Sequence, residues 1–277
     1  FLGLKPQIAV VTSLEHDHTD LFPTFETMHV AFERFVDLLP ADGTLIVCAE
    51  DPGAASLIPH ARKAGLNVVA YGIQGEETIN SPFWTRAGEV KPNQRGGFDF
   101  AATSNLGPGS EPVFVSLQVP GEYNVRNALA VLAIVDLLGL PRKEAAAALA
   151  DFTGTGRRFQ LRGEVNGISV FDDYAHHPTE IKATLAGARA RYPGRRIWAV
   201  WQPHTYSRTQ TLFLEFSRAF KDADEVIVTE VYAAREPKQD FTSAEIVSAM
   251  PHLSARYIAT LPEVSKHLVE NLQAGDV

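Results

Sequence analysis

Ile168-Ser169-Val170-Phe171-Asp172-Asp173-Tyr174-Ala175-His176-His177-Pro178-Thr179-Glu180 is the stretch on which the fold reading turns. Its first part is an apolar run suited to a strand. Its last part opens a helix, because proline at the first helical position gives up an N–H that would have no partner there. Acids, a phenol and imidazoles fill the junction. In an open α/β sheet the carboxyl end of a strand is where ligands bind. A second cluster, Gln202-Pro203-His204-Thr205-Tyr206-Ser207-Arg208-Thr209, follows the next apolar run in the same way. Two successive strand exits loaded with titratable groups point to one shared site, and so to an enzyme.

Outward from that stretch the pattern alternates. Toward the C-terminus the expectation is strand 164–171, helix 178–191, strand 196–201, helix 209–221, strand 225–231, helix 243–250, a strand near 255–258 and helix 262–272. This predicts a Rossmann-like, doubly wound α/β domain over residues 156–277. The closing Ala274-Gly275-Asp276-Val277 reads as the beginning of a further strand. Upstream, Thr153-Gly154-Thr155-Gly156 is a run of small residues that suits a domain boundary. Before it, strands at Ile8–Val11, Thr44–Cys48 and Asn67–Tyr71 alternate with helices over 24–39 and 53–64, the pattern of a parallel sheet with crossover helices. Glycine, proline and short alternating runs between 73 and 119 predict an antiparallel β section, followed by helices over 124–138 and 142–151. Residues 1–155 therefore form the other domain.

The bulk properties exclude several classes. Of the 277 residues 45% are hydrophobic and 21% charged, which suits a globular chain rather than a disordered one. A net charge of −8 disfavours a nucleic-acid surface. Cys48 is the single cysteine, so an intrachain disulfide and a four-thiolate zinc site are excluded and a reducing compartment fits. No run of about 18 apolar residues suggests a membrane span, and the opening Phe1-Leu2-Gly3-Leu4-Lys5-Pro6 lacks the layout of a signal peptide.

Three further constellations could carry chemistry. Thr12-Ser13-Leu14-Glu15-His16-Asp17-His18-Thr19-Asp20 follows a strand, and its imidazoles and carboxylates suit a divalent ion; in an extended chain His16 and His18 would share a side. A solvated polar turn explains the same residues. Gly121-Glu122-Tyr123-Asn124-Val125-Arg126-Asn127-Ala128 opens a helix. One asparagine is explained as an N-cap, while Asn124 and Asn127 three apart share a face and could read a planar heterocycle. Arg157-Arg158-Phe159-Gln160, at the boundary, could clamp a phosphate or simply be a solvated linker.

Taken together, these motifs resemble the Mur ligase family in the family's own order and over nearly the whole chain. Residues 9–20 resemble its central-domain Thr-Asn-x-x-x-Asp-His-x-Asp segment, and 121–128 its Gly-x-His-Asn-x-x-Asn-Ala. Arg157-Arg158-Phe159, Asp172–Glu180 and Gln202–Thr209 are the most specific and resemble the alanine-adding branch. The resemblance implies that residues 1–155 are the C-terminal portion of an ATP-binding central domain, with a mostly parallel sheet. It implies ATP-driven amide formation: the lactyl carboxylate of UDP-N-acetylmuramate becomes an acyl phosphate that the amino group of L-alanine attacks, in peptidoglycan precursor synthesis in the bacterial cytoplasm. ATP and Mg²⁺ are the implied cofactors. His18 would be a Mg²⁺ ligand. Asn124 and Asn127 would face adenine, and Arg158 and Asp173 the phosphate or ribose. Tyr174, His176, His204 and Arg208 would form the amino-acid site.

The chain departs from the family pattern at Ser13 (usually Asn), Tyr123 (usually His) and Thr205 (often Arg). No Gly-x-x-x-x-Gly-Lys-Ser/Thr phosphate loop occurs. The resemblance places that loop, an acidic Mg²⁺ ligand and a UDP-sugar-binding domain upstream of Phe1, so the chain alone is expected to be inactive, and no catalytic residue is assigned within it. Three other readings stay open at this point. One is a recycling ligase that joins a peptide to the same sugar nucleotide. Another is a metal-dependent hydrolase using His16, His18 and Asp20 with His176 or His204. The last is a non-catalytic nucleotide-binding module. The sequence is silent on oligomeric state.

Overall fold

The structure is a computed structural model describing residues 2–73, 81–107 and 111–277. It divides into two compact units, one formed by residues up to His16 together with Phe22–Thr153, the other by Asp17–Leu21 together with Gly154–Val277.

The first unit is built on β1 (Ile8–Val11), α1 (Phe25–Val36), β2 (Thr44–Cys48), α2 (Pro52–Ala55), α3 (Ile58–Lys63), β3 (Asn67–Gly72), β4 (Phe83–Ala87), β5 (Lys91–Pro92), β6 (Phe98–Ser104), β7 (Val113–Ser116), α4 (Glu122–Leu137) and α5 (Arg142–Asp151). The sheet runs β1-β2-β3-β4-β6-β5, with β7 on β6. β1 to β4 are parallel and the later pairs antiparallel. Leu45, Ile46 and Val47 of β2 are wholly buried, as a continuous apolar strand covered on both faces must be. β6 instead alternates buried and less buried positions, the mark of a sheet with one wetter face. Thr24 starts α1 with a reciprocal capping box to Thr27.

Two expectations need correction here. The helix expected over 53–64 is two short helices, because Pro59 has no N–H to give and its ring would strike the carbonyl of Ala55. Within the antiparallel section expected over 73–119, β4 runs parallel to β3 before the sheet reverses at β6. Residues 74–80 and 108–110 of that section lie outside the described residues.

The second unit contains β8 (Gln160–Val165), β9 (Ile168–Asp172), α6 (Pro178–Arg191), β10 (Trp198–Trp201), α7 (Tyr206–Thr211), α8 (Phe213–Ser217), β11 (Glu225–Val228), α9 (Ser243–Ala249), β12 (Ala255–Tyr257) and α10 (Leu261–Asn271). β10, β11 and β12 form a parallel sheet in that order, while β8 and β9 pair as an antiparallel hairpin. The expected single strand over 164–171 is therefore two strands. Asn166 and Gly167 turn the chain with φ of 53° and 78°, the left-handed pair that a two-residue hairpin requires. The helix expected over 209–221 begins earlier, at Tyr206, and breaks at Leu212, whose φ −104° and ψ 28° leave the helical region. Trp201 stacks on Phe216 at 4.6 Å in a core with Ile181, Leu185, Phe220 and Ile246. Gly275–Val277 lies between β9 and β10. Gly275 N–H donates to Gly167 O and Ser169 N–H to Asp276 O, while Val277 exchanges bonds with Arg196 and Trp198.

Candidate functional site

Both strand exits singled out in the sequence lie in the second unit, and local chemistry explains how each is held. After β9, Asp173 ties its loop to the segment before β8: Oδ2 accepts from Phe159 N–H at 2.7 Å and Oδ1 from Ala175 N–H at 2.7 Å. His177 caps α6, and Glu180 accepts the backbone N–H groups of His176 (2.9 Å) and His177 (3.2 Å) in a capping box. Glu180 also takes Arg158 Nη1 at 3.0 Å. Burial would raise the Glu180 carboxyl, but these donors and the nearby charges outweigh it and hold the carboxyl below its ordinary range. Tyr174 is thereby pushed outward, 48% exposed. The Arg157 guanidinium lies 4.8 Å over its ring and the His176 ring 5.2 Å away at an edge.

After β10 the loop is held from outside. Glu236 accepts Thr205 Oγ1 at 2.6 Å and Ser207 N–H at 2.9 Å, and also contacts Ser207 Oγ. Burial acts to raise this carboxyl as well, but the hydrogen bonds from Ser207 and Thr205 hold it down. Arg208 is buried, 7% exposed. Its Nη1 donates to His204 O at 2.6 Å and lies 3.3 Å from His204 Nδ1. The His204 ring stacks on Tyr232 at 5.6 Å. Burial, with the charges of Arg208 and His176, pushes the His204 imidazole below its ordinary value, toward the neutral form.

The two loops meet at Asp17. Its Oδ1 accepts Arg208 Nε at 2.7 Å and its Oδ2 lies 3.6 Å from His176 Nε2. That carboxylate raises the His176 imidazole against the opposing effect of burial. Burial would raise Asp17 itself, yet His176, the His18 N–H and Arg208 together drive its carboxyl far below the usual range. Tyr174, His176, Asp17, Arg208 and His204 are thus consecutive neighbours. The chemistry available is recognition of a small zwitterion: a guanidinium for a carboxylate, a neutral imidazole for an amino group, and aromatic rings that limit size.

The remaining candidates are placed differently. His18, adjacent to Asp17, has φ 50° and a side chain 60% exposed, so the segment is not extended and His16 and His18 do not share a side. His16 instead bonds through Nε2 to the carbonyl of Phe22. Among the described residues no three His, Cys, Asp or Glu side chains are placed to hold a metal ion, so the hydrolase reading is not favoured. His18 offers one exposed imidazole, enough for a single ligand to Mg²⁺, an ion that takes most of its ligands from oxygens.

Asn124 and Asn127 belong to the first unit. Neither caps α4, because Gly121 takes that position with φ 89°, and a Cβ there would meet the Tyr123 ring at 2.3 Å. Asn124 Nδ2 donates to Pro120 O at 2.7 Å and Asn127 Nδ2 points to Asn124 Oδ1 at 3.4 Å, a pair of amides on one face that fits the edge of a heterocycle. Arg158 is exposed, its side chain bound only at Nη1 to Glu180 among the described hydrogen bonds, and suits a phosphate. A cavity of about 170 Å³ between β9 and β10, lined by Phe159, Phe171, Trp198 and Trp201, is mostly apolar and holds none of these groups except Asp173.

Sequence reasoning assigns no role to Asp17, Glu180, Tyr232 or Glu236. Glu236 follows β11, a third strand exit, and the reasoning applied to the first two exits would have found it.

Residues 1–135 match the Mur ligase middle domain and 157–277 the Mur ligase, glutamate ligase domain. The chain is 41% identical over 248 residues to the UDP-N-acetylmuramate–L-alanine ligase of Renibacterium salmoninarum, covering 90% of this chain and 51% of that protein. It is also 41% identical to the Kineococcus radiotolerans enzyme of the same name, covering 100% of this chain and 57% of the other. It thus spans about half the length of the curated relatives it matches. Among solved structures, the UDP-N-acetylmuramate–alanine ligase of Thermotoga maritima superposes with TM-score 0.72 at 26% identity, covering 100% of this chain and 56% of that one. A murein peptide ligase from Psychrobacter arcticus gives 0.66 at 25%, covering 99% and 54%. No described helix is long and apolar enough to cross a membrane. By its two domain matches and its identity to these ligases, the chain belongs to the Mur ligase family.

Proposed function

We propose that the protein acts as an ATP-dependent ligase joining L-alanine to UDP-N-acetylmuramate in peptidoglycan precursor synthesis, in the bacterial cytoplasm. In this reading residues 1–155 are the C-terminal portion of the ATP-binding central domain and 156–277 the Rossmann-like C-terminal domain. The observation that carries it is the buried guanidinium of Arg208, beside His204 and joined through Asp17 to His176 and the exposed ring of Tyr174.

Each of these groups has a physical task. Arg208 offers charge to the alanine carboxylate. Tyr174 and His176 shape the pocket. His204, held toward its neutral form, accepts a hydrogen bond from the amino group, which must shed a proton before it can attack. Asn124 and Asn127 face adenine, while Arg158 takes a phosphate oxygen and Asp173 holds Arg158's loop in place. ATP converts the lactyl carboxylate to an acyl phosphate; the amine adds to its carbonyl carbon and phosphate leaves. Mg²⁺, with His18 as one ligand, would offset the phosphate charge.

The test is ADP release by the full-length protein, which should require both UDP-N-acetylmuramate and L-alanine. ADP release with no alanine requirement would sink the assignment. A tripeptide belongs beside alanine in the same assay, because a murein peptide ligase is also among the structural neighbours. Preference for the tripeptide would make the protein a recycling ligase.

A further inference from the structure

We propose that Asp17 is a positioning residue for the amino-acid site, fixing Arg208 and His176 against one another. The inference rests on the ligase reading and deepens it.

Arg208 and His176 come from different strand exits, and both are cationic or able to become so. Side by side without a counter-charge they would repel, and the guanidinium could rotate about its stem. The Asp17 carboxylate removes both problems. Oδ1 takes Nε of Arg208 at 2.7 Å while the carbonyl of His204 takes Nη1 at 2.6 Å. A planar group anchored at two nitrogens on different edges has its plane fixed. Oδ2 then faces His176 Nε2 at 3.6 Å, and the other ring nitrogen, Nδ1, lies 3.0 Å from the Tyr174 carbonyl, so this ring too is held at both ends. Asp17 is in turn oriented by the His18 N–H, which donates to Oδ1 at 2.7 Å. The Asp17 carboxylate therefore joins the cation to the imidazole, whose other nitrogen, Nδ1, also lies 3.4 Å from Glu180 Oε2. Recognition of a ligand as small as alanine depends on such pre-ordering, since few other contacts are available.

The experiment is steady-state kinetics of the full-length protein with Asp17→Asn, which keeps the shape and removes the charge. The expected result is a KM for L-alanine raised at least about tenfold, the order of effect that loss of positioning produces. The KM for ATP and the half-saturating Mg²⁺ concentration should stay within about twofold, and Asp17→Glu should recover part of the loss. If Asp17→Asn does not fold, the same split is read on Asp17→Glu alone, whose alanine KM must rise with the ATP KM unmoved. An unchanged alanine KM overturns the inference. So does a lower one, which would mean that Asp17 occupies the seat of the substrate carboxylate. A rise in the Mg²⁺ requirement also overturns it, by assigning Asp17 to the metal side with His18. If the unsubstituted protein shows no alanine dependence, the functional reading itself falls and takes this inference with it.

Discussion

The two strand exits of the second unit carry similar side chains but are stabilised in opposite ways. The loop after β9 is held by its own carboxylates: Asp173 ties it to Phe159 and Ala175, and the His177–Glu180 capping box anchors it to a 14-residue helix. The Tyr174 ring can stay exposed because no hydrogen bond of the loop depends on its side chain. The loop after β10 leads into a helix of only six residues, and Thr205 makes no side-chain cap for it. Its order comes from Glu236, 29 residues beyond Ser207, and from the buried ion pair of Arg208 with Asp17. Side chains proposed to recognise the ligand are here also the side chains that hold the loop. Substitutions should therefore separate stability from function at the first exit and entangle them at the second.

The largest effect is expected at Arg208. Arg208→Met keeps the apolar stem but leaves Asp17 facing His176 without its guanidinium. Removing one partner of a buried pair costs about 3–5 kcal/mol. The lower end, about 3 kcal/mol, applies because the Asp17 side chain keeps 19% of its exposure. Urea unfolding should show this loss, and alanine-dependent ADP release should disappear with it. A variant of unchanged stability would break the comparison, since Arg208 would then be a ligand group only.

Next comes Glu236→Gln, which weakens the charge-assisted bonds to Thr205 and Ser207 by about 1–2 kcal/mol at neutral pH. The sign of its pH dependence follows from the lowered carboxyl. A carboxylate held below its unfolded value of 4.5 stabilises the fold above that pH, and the benefit is lost as pH falls. The stability gap between the original protein and Glu236→Gln should accordingly be full near pH 7 and shrink below about pH 4.5. A gap that stays constant down to about pH 3 would mean that the substituted amide disturbs packing rather than charge.

What could be read from sequence divides along the same physical line. Apolar periodicity is a local property, so β2, α6 and the two loaded exits are legible from their own residues. The hairpin of β8 and β9 was equally local: Asn166-Gly167 is a two-residue turn signal that a single long strand cannot contain. Pro59 likewise announces the break between α2 and α3. Asp17 is of another kind. Its partner Arg208 lies 191 positions away, so no spacing rule connects them. The motif around His18 contains Asp17, but only the fold shows that its carboxylate faces Arg208 and His176. Asn124 offers the reverse lesson, because a residue type that suits an N-cap lies one turn inside α4 when a glycine takes the cap.

The smallest structural effect, and the sharpest test of the comparison, belongs to Tyr174→Ala. The ring is about half exposed, and its neighbours are the Arg157 and Arg158 guanidinium groups at 4.8 and 5.8 Å. Exposed cation–π contacts contribute about 0.5–1 kcal/mol, and the Tyr174 backbone N–H keeps its bond to Arg157 O without the side chain. Stability should fall by less than about 1 kcal/mol. The proposed amino-acid site, however, would lose the wall that limits the size of its ligand. An apolar pocket discriminates one methylene of its ligand by roughly 1–3 kcal/mol. The KM for alanine should therefore rise about tenfold, while the preference for alanine over larger amino acids such as valine weakens by a similar factor. If Tyr174→Ala instead destabilises the fold as much as Arg208→Met, the first exit is not self-supporting and the contrast between the two loops disappears. If stability and selectivity both stay unchanged, Tyr174 stands outside the amino-acid site, and selectivity must come from the second exit alone, where His204 and Tyr232 provide the remaining aromatic surface.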